Sequence, residues 1–300
     1  MYDVIIIGAG SAGLTAGVYL SRYGIKNLII GELLGGTLTS AHKVENFPGF
    51  EDTPGAVIMD KLLSQTKSCG SEILQDTIEL IQKNGDNFLI KTMGGKEINS
   101  KLILIAIGNK YKKLNISGEE KFIGRGVSYC ATCDGMFFKN KEVVIIGGGD
   151  AALSEAIYLS SICSKIHLIH RGDLFKAAKS WIDQVESKSN IEIHKNSNIK
   201  EIKGSLYVEE VVLNNGDILK VDGVFIEIGN EPDTKIFNEF NLQKDNEGYI
   251  VVDKTQKTSV SGIYAAGDIT TNSNKFKQSV VAAAEGAIAA NSMYEYLTNS

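Results

Sequence analysis

An apolar run that ends in a glycine-rich turn and continues as a helix occurs twice in this chain, and few folds accept that construction. Val4-Ile5-Ile6-Ile7 leads into Gly8-Ala9-Gly10-Ser11-Ala12-Gly13 and then a helix-like stretch from Leu14 to Tyr23. Val143-Val144-Ile145-Ile146 leads into Gly147-Gly148-Gly149-Asp150-Ala151-Ala152 and a helical run from Leu153 to Ser161. A strand covered on both faces reads as continuously apolar, and the order strand, glycine turn, helix is that of a dinucleotide-binding βαβ unit. In the first copy Gly8 allows the tight turn, Gly10 admits backbone close to a pyrophosphate, and Gly13 lets helix lie on strand. Helix-terminal N–H groups, those of Ser11 and Ala12 among them, then face the anion.

The residue expected to read the ribose differs between the copies. About 20 residues past the first glycines, Glu32 stands where a carboxylate accepts hydrogen bonds from adenosine ribose hydroxyls. The second copy has His170-Arg171 there and no carboxylate. A guanidinium suits a 2′-phosphate, hence NADP, over a bare ribose; a solvated basic turn is the alternative reading.

Each copy closes on a similar strand, Leu104-Ile105-Ala106-Ile107-Gly108-Asn109 in the first and Phe225-Ile226-Glu227-Ile228-Gly229-Asn230 in the second. Turn-rich stretches ahead of them (Asn84-Gly85-Asp86, Gly94-Gly95, Asn215-Gly216-Asp217) read as hairpins. The chain then continues into Gly262 to Asp268 and a helix from about Gln278 to Leu297. Because the second fold is already closed, the economical topology returns this tail to the first domain. The expected architecture is α/β, with two Rossmann-like domains of three-layer ββα type, the second inserted into the first. Residues 1–113 and 246–300 form the first domain and 114–245 the second, with polar connectors near Lys112 to Glu120 and Asn238 to Asn246.

Three hundred residues suit two domains. Thirty-one glycines beside three prolines indicate tight turns, not disorder. The net charge of −5 leaves no electrostatic footprint for nucleic acid. The N-terminal apolar run stops at Gly8, too short for a signal sequence or a bilayer span, so a soluble cytoplasmic protein with no membrane partner is expected.

Four cysteines do not make a disulfide scaffold. Cys130 and Cys133, in Cys130-Ala131-Thr132-Cys133-Asp134-Gly135, can close a small disulfide in which one thiolate is attackable and the other resolves the mixed disulfide. Asp134 adds a carboxylate able to carry a proton to or from a thiol. A zinc site needs four ligands, and Cys69, Cys163 and the histidines show no matching spacing, so no metal is expected. Cys69 and Cys163 read as small core hydrophobes; His42, His167 and His194 show no partner pattern, and core or surface roles are expected for them. A dithiol beside two dinucleotide folds implies two-electron transfer from reduced nicotinamide through a flavin to the disulfide.

With these residues assembled, the chain resembles the low-molecular-weight thioredoxin reductases from Tyr2 to about Leu297. Gly8 to Gly13 is similar to that family's FAD pyrophosphate loop. Gly35-Gly36-Thr37-Leu38-Thr39 and Val44-Glu45-Asn46-Phe47-Pro48-Gly49-Phe50 are similar to its flavin-contacting segments. Cys130 to Gly135 matches its redox motif, and Ala266-Gly267-Asp268 with Lys277-Gln278 resembles its ribitol and isoalloxazine contacts. The resemblance implies FAD held by Gly8, Gly10, Ser11, Ala12, Gly13 and Glu32, by Gly36, Thr37, Leu38 and Asn46, and by Gly108, Gly267, Asp268, Lys277 and Gln278. It implies NADPH on Gly147, Gly149, Asp150, Ala151, His170, Arg171 and Lys176. Cys133 would face the flavin, Cys130 would attack the disulfide of thioredoxin or a thioredoxin-like protein, and Asp134 would move the proton. The helix near Gln278 would turn its positive end to the flavin pyrimidine, and a homodimer is implied.

The likeness departs at the second nucleotide site. The family carries His-Arg-Arg and a further Arg, whereas this chain has His170-Arg171-Gly172 and Lys176, and a lysine replaces a guanidinium only as a point charge. NADH, ferredoxin or another non-nicotinamide compound is therefore an alternative electron donor. A flavin-dependent dithiol oxidase that passes electrons to oxygen and a redox-sensing flavoprotein are alternative functions.

Overall fold

The computed structural model describes the chain except His42, Lys43, Glu45, Asp52, Cys130, Asn274, Lys275 and Ser300, and except the side chains of Thr132, Cys133 and Asn230. It divides into two compact units, Met1–Lys110 with Glu231–Ser300, and Tyr111–Asn230. In chain order the first unit begins with β1 (Tyr2–Ile7), α1 (Ser11–Arg22), β2 (Asn27–Gly31), α2 (Gly55–Ser68), β3 (Glu72–Gln75), β4 (Ile78–Asn84), β5 (Asn87–Thr92) and β6 (Glu97–Ile105). The short β7 (Lys110–Tyr111) leads into the second unit: β8 (Val127–Ser128), α3 (Ala131–Asp134), β9 (Glu142–Ile146), α4 (Asp150–Ser160), β10 (Lys165–Ile169), α5 (Lys179–Glu186) and β11 (Ile191–His194). There follow β12 (Ile199–Lys203), β13 (Glu210–Leu213), β14 (Ile218–Lys220), β15 (Gly223–Ile226) and the return strand β16 (Asn230–Glu231). β17 (Ile263–Ala265) and α6 (Ser279–Asn299) complete the first unit.

The returning chain joins the first unit earlier than residue 246, where composition put it. Phe237, Leu242, Ile250 and Val252 pack with Ile5, Ile7, Ile103 and Ile105 of the central strands, and burial of these side chains decides where the segment belongs. On the outgoing side, the polar stretch after Lys112 is no free linker. Buried Glu119 accepts the N–H groups of Leu114 and Asn115, at 2.9 and 2.6 Å, and the Tyr129 hydroxyl at 2.6 Å. That carboxylate ties the stretch into the second unit.

The first unit's sheet has the order β3-β2-β1-β6-β5-β4, with β17 also paired to β6. β1, β2, β3, β6 and β17 run parallel, while β4 and β5 form the expected hairpin around Gly85. Side chains alternate along β1: Val4 and Ile6 face a core shared with Leu14, Leu20 and Met293 of the helices, and Ile5 and Ile7 face the core on the other side. Full burial of each such aliphatic side chain is worth about 1.5–3 kcal/mol. The second unit repeats the scheme. Its parallel sheet β11-β10-β9-β15-β8 carries α4 and α5 on one side and the antiparallel β12-β13-β14 sheet on the other.

In both units the parallel strands end along one edge, and ligands of such sheets bind outside that edge where the strand order reverses. Gly8, Glu32, Ala106 and Ala266 follow β1, β2, β6 and β17, and Gly147, His170 and Glu227 follow β9, β10 and β15. No helix among the described residues is long and apolar enough to cross a membrane.

Candidate active site

A cavity of about 770 Å³ opens at the strand-end edge of the first unit. Gly8, Gly10, Ser11, Ala12 and Glu32 line one part of it; Gly36, Thr37, Leu38, Asn46 and Gly108 line another. Gly267, Asp268, Lys277 and Gln278 reach it from the far end of the chain. Gly13 does not line it. A Cβ there would sit 1.9 Å from the Gly8 carbonyl oxygen, so Gly13 works behind the cavity, letting α1 lie on β1. Gly8 itself has φ +114°, and its missing Cβ would fall 2.2 Å from the Ala106 carbonyl oxygen. At Gly10 a Cβ would meet nothing nearer than 3.8 Å. Its bare backbone is therefore open to whatever fills the cavity.

Two polar networks hold the C-terminal contribution in place. Buried Glu285 of α6 accepts the Gly267 N–H at 2.7 Å, the Thr270 hydroxyl at 3.2 Å and the Ser273 hydroxyl at 2.8 Å. It thereby fixes the turn that presents Asp268, whose carboxyl is pushed up by burial against the opposing pull of Lys277. Lys277 also donates to the Tyr249 hydroxyl, and Asn46 donates to Gln278 at 2.9 Å. Glu285→Ala leaves the Gly267 N–H and the Ser273 hydroxyl without an acceptor, while the Thr270 hydroxyl keeps the Gly267 carbonyl at 3.0 Å. The expected outcome is a loss of about 3 kcal/mol, read as a thermal midpoint about 5–10 °C lower.

In the second unit the glycine loop follows β9 as expected. A Cβ on Gly147 would lie 2.3 Å from the Glu227 carbonyl oxygen, whereas Gly149 faces open space. Asp150 opens α4 and accepts the Ala178 N–H at 2.7 Å, and Ala151 beside it is exposed. His170 is buried, its Nε2 lies 2.9 Å from the Leu174 carbonyl oxygen, and its ring occupies the space beside Gly148. Arg171 and Lys176 are exposed, and the Lys176 N–H donates to the Gly148 carbonyl at 2.7 Å.

Cys130 and the Cys133 side chain lie outside the described residues. Asp134, at the end of α3, accepts the Ser128 hydroxyl at 2.6 Å. The peptide N–H of Ala131, within the motif, donates to Glu155 of α4 at 3.2 Å. Glu155 and Glu227 are hydrogen-bonded to each other, which two carboxyls can do only by sharing a proton. Burial raises both, and Glu227 is raised further by the charge of Glu155. Cys163 is buried, which pushes its thiol up to about 11, and Cys69 is partly covered at the end of α2. The core reading thus fits Cys163 fully and Cys69 only in part.

The structure adds a pairing that the sequence pattern does not show. His167 and His194, which show no partner pattern in the sequence, approach with Nδ1 of the first 3.0 Å from Nε2 of the second, and Glu192 joins them. The register of β10 and β11 sets His167 opposite Glu192 and brings His194 to the same face two residues on. Burial, with Lys165 and His194 adding to it, holds the His167 imidazole below the ordinary histidine range. His42 lies outside the described residues.

Residues 2–286 match the pyridine nucleotide-disulphide oxidoreductase family. The chain belongs to that family. Within it, similarity runs to thioredoxin reductases over nearly the whole length. The Listeria innocua thioredoxin reductase is 39% identical, covering 99% of this chain and 94% of its own. That of Helicobacter pylori is 40% identical, covering 99% of each. The crystal structure of Lactococcus lactis thioredoxin reductase is 34% identical, covers 100% of both chains and superposes with a TM-score of 0.92. This member of the pyridine nucleotide-disulphide oxidoreductases is therefore an oxidoreductase acting on sulfur groups, built on a flavoprotein disulfide reductase fold.

Sequence reasoning missed several residues of the cavity wall. Asp76, Thr77, Asp233 and Lys235 line it, and Asp233 pairs with Lys110 at 2.7 Å. That ion pair holds the Asp233 carboxyl below the usual range. None of the four stands in a glycine motif, and only strand pairing and the return of the chain bring them to the cavity.

Proposed function

We propose that this chain takes two electrons from a reduced nicotinamide, NADPH in the first instance, and uses them to reduce thioredoxin or a thioredoxin-like protein at a Cys130–Cys133 disulfide. The observation that carries this reading is the single cavity to which the stretches around residues 8–38 and 266–279 both contribute. Its donor set fits FAD. Bare backbone at Gly10 and the N–H groups of Ser11 and Ala12 suit a pyrophosphate, and Glu32 suits a ribose. Gly267 and Asp268 suit a ribitol chain. Gly36, Thr37, Leu38 and Asn46 would hold the ring system, with Gly108, Lys277 and Gln278. When bound, FAD supplies a centre that exchanges an electron pair with both a nicotinamide and a disulfide.

The protein's own groups orient and move protons. α6 begins at Ser279, beside the cavity residues Lys277 and Gln278, so its positive end favours negative charge there. Opening a disulfide to two thiols takes two electrons and two protons, and Asp134 is the carboxylate assigned to carry a proton. Cys130 is assigned the attack on the substrate disulfide, and Cys133 the contact with the flavin. Gly147, Gly149, Asp150 and Ala151 would hold the nicotinamide dinucleotide, with Arg171 and Lys176 as cations for a 2′-phosphate. His170 serves there by shaping the loop, since its Nε2 is taken up by Leu174.

The test is an anaerobic titration of the flavin with NADPH, NADH and reduced ferredoxin in turn. Rapid bleaching by NADPH supports the reading. Because only Arg171 and Lys176 of the expected cations are exposed, bleaching by NADH or ferredoxin alone would transfer the donor role. Peroxide release with dithiol substrates and no reduction of thioredoxin would assign an oxidase instead. The resemblance also implies a homodimer in the cytoplasm; light scattering at twice the chain mass is the expected result for the assembly.

A further inference from the structure

We propose that His167, His194 and Glu192 form a binding site for a divalent first-row transition ion, zinc above all, on the edge of the second unit's sheet. The site sits on the strands that lead into the second dinucleotide loop, where the His194 carbonyl accepts the His170 N–H at 3.0 Å, and the proposed reductase function does not use its three side chains.

The argument begins with strand geometry. Side chains two residues apart on a strand share a face, and a residue directly opposite on the neighbouring strand shares it too. Glu192 and His194 on β11, with His167 opposite Glu192 on β10, meet that condition. β11 is the outer strand of its sheet, so an ion can arrive from solvent at Glu192, which is half exposed. His167 is buried and holds the inner corner.

The spacing of the ligand atoms then decides between a hydrogen-bonded cluster and a coordination site. His167 Nδ1 and His194 Nε2 are 3.0 Å apart. Glu192 Oε2 is 3.7 Å from His167 Nδ1, and Glu192 Oε1 is 3.5 Å from His194 Nε2. Both carboxylate separations are too long for hydrogen bonds. Zinc bonds of about 2.0–2.2 Å in tetrahedral geometry put neighbouring ligand atoms about 3.3 Å apart; the two nitrogens are already that close, and the two carboxylate contacts use different oxygens of Glu192, so this half-exposed carboxylate has to turn to bring one oxygen to both, from a set of single ligand atoms that lies within 4.8 Å. Two imidazoles and one carboxylate are a ligand set that zinc and its neighbours in the first row accept.

Two surrounding groups sharpen the proposal. A ligating histidine commonly turns its other nitrogen to a carboxylate, which fixes the tautomer. His167 Nε2 faces Glu142 Oε2 at 3.7 Å, so the proton that leaves Nδ1 on metal binding has a place beside a carboxylate. Lys165 acts in the opposite sense. Its ammonium lies 2.7 Å from Glu192 Oε2 and competes with any cation for that oxygen.

The test uses the full-length, flavin-loaded protein with its redox disulfide closed, so that the Cys130 and Cys133 thiols cannot bind metal. Zinc is titrated calorimetrically after chelator treatment, and cobalt is added separately to read its visible ligand-field bands. One ion per chain is expected. His194→Ala and Glu192→Gln should each weaken binding at least tenfold, and Glu142→Gln about 10–100-fold, with thioredoxin reduction unchanged in His194→Ala. Lys165→Met should tighten binding several-fold, an effect that a purely hydrogen-bonded cluster has no means to produce. Absence of binding, or equal affinity in wild type and His194→Ala with circular dichroism unchanged, overturns the proposal. So does a Lys165→Met affinity no tighter than wild type.

Discussion

Cys130→Ser and Cys133→Ser are each expected to abolish reduction of a protein disulfide while the protein stays yellow. The two losses share a cause but differ in character. A serine hydroxyl at pH 7 is neither the nucleophile nor the leaving group that thiol–disulfide exchange requires, because the reacting species is a thiolate and the alcohol ionises far too weakly. With either sulfur gone no internal disulfide can form, so each variant should fall by about 10⁴-fold or more, beyond what removal of a proton carrier alone costs. Flavin retention follows from location, since every described residue lining the cavity belongs to the first unit and both cysteines to the second. The check is a thioredoxin-dependent assay run beside the flavin absorbance of each purified variant. Loss of colour in both variants would make the pair structural.

Gly13→Ala and Gly10→Ala are expected to fail in different ways, although both alter the same glycine motif. At Gly13 the added methyl would meet the Gly8 carbonyl oxygen at 1.9 Å and Ile6 Cγ2 at 3.1 Å. Neither neighbour is a flexible tip, so α1 must lift from β1, at a cost of about 3 kcal/mol or more. Because α1 also packs on α6, that shift reaches the wall that carries Gly267. The protein should melt earlier and lose flavin. At Gly10 the methyl meets nothing nearer than 3.8 Å. The fold should keep its midpoint while flavin affinity drops, because the methyl occupies the approach to the pyrophosphate. Paired melting curves and flavin-binding titrations separate the two, and equal midpoints for both variants would contradict the packing argument at Gly13.

Much of this was readable because glycine motifs are local. The strand, the turn and the start of the helix lie within ten residues, so the need for a missing side chain at Gly8 or Gly13 shows in one short window. Chain-order signals also sufficed for the hairpin at Gly85 and for the return of the tail. What escaped depends on register between distant segments. His167 and His194 are 27 residues apart, and only the alignment of β10 with β11 brings their nitrogens together. Glu285 interrupts an alanine-rich helix, and nothing in that local pattern shows that the turn at Gly267 folds over it and buries it. The crossing point near residue 231 was missed for a related reason. The stretch around Phe237 and Leu242 is punctuated by asparagine and glutamate like a linker, and its apolar residues matter only once the sheet exists to receive them.

The placement of β17 and α6 after the inserted unit has a consequence for biosynthesis. As the polypeptide leaves the ribosome, the first 110 residues emerge with part of their sheet unpaired and one flank of α1 bare, because the elements that cover them are made only after the whole inserted unit. The inserted unit, contiguous in sequence, has all its own strands available by residue 230. Its folding can therefore finish while the opening half still waits for its closing pieces. Loading of the prosthetic group then has to wait until synthesis has passed the second unit, and the half-built opening segment is the stage at which a chaperone has most to hold.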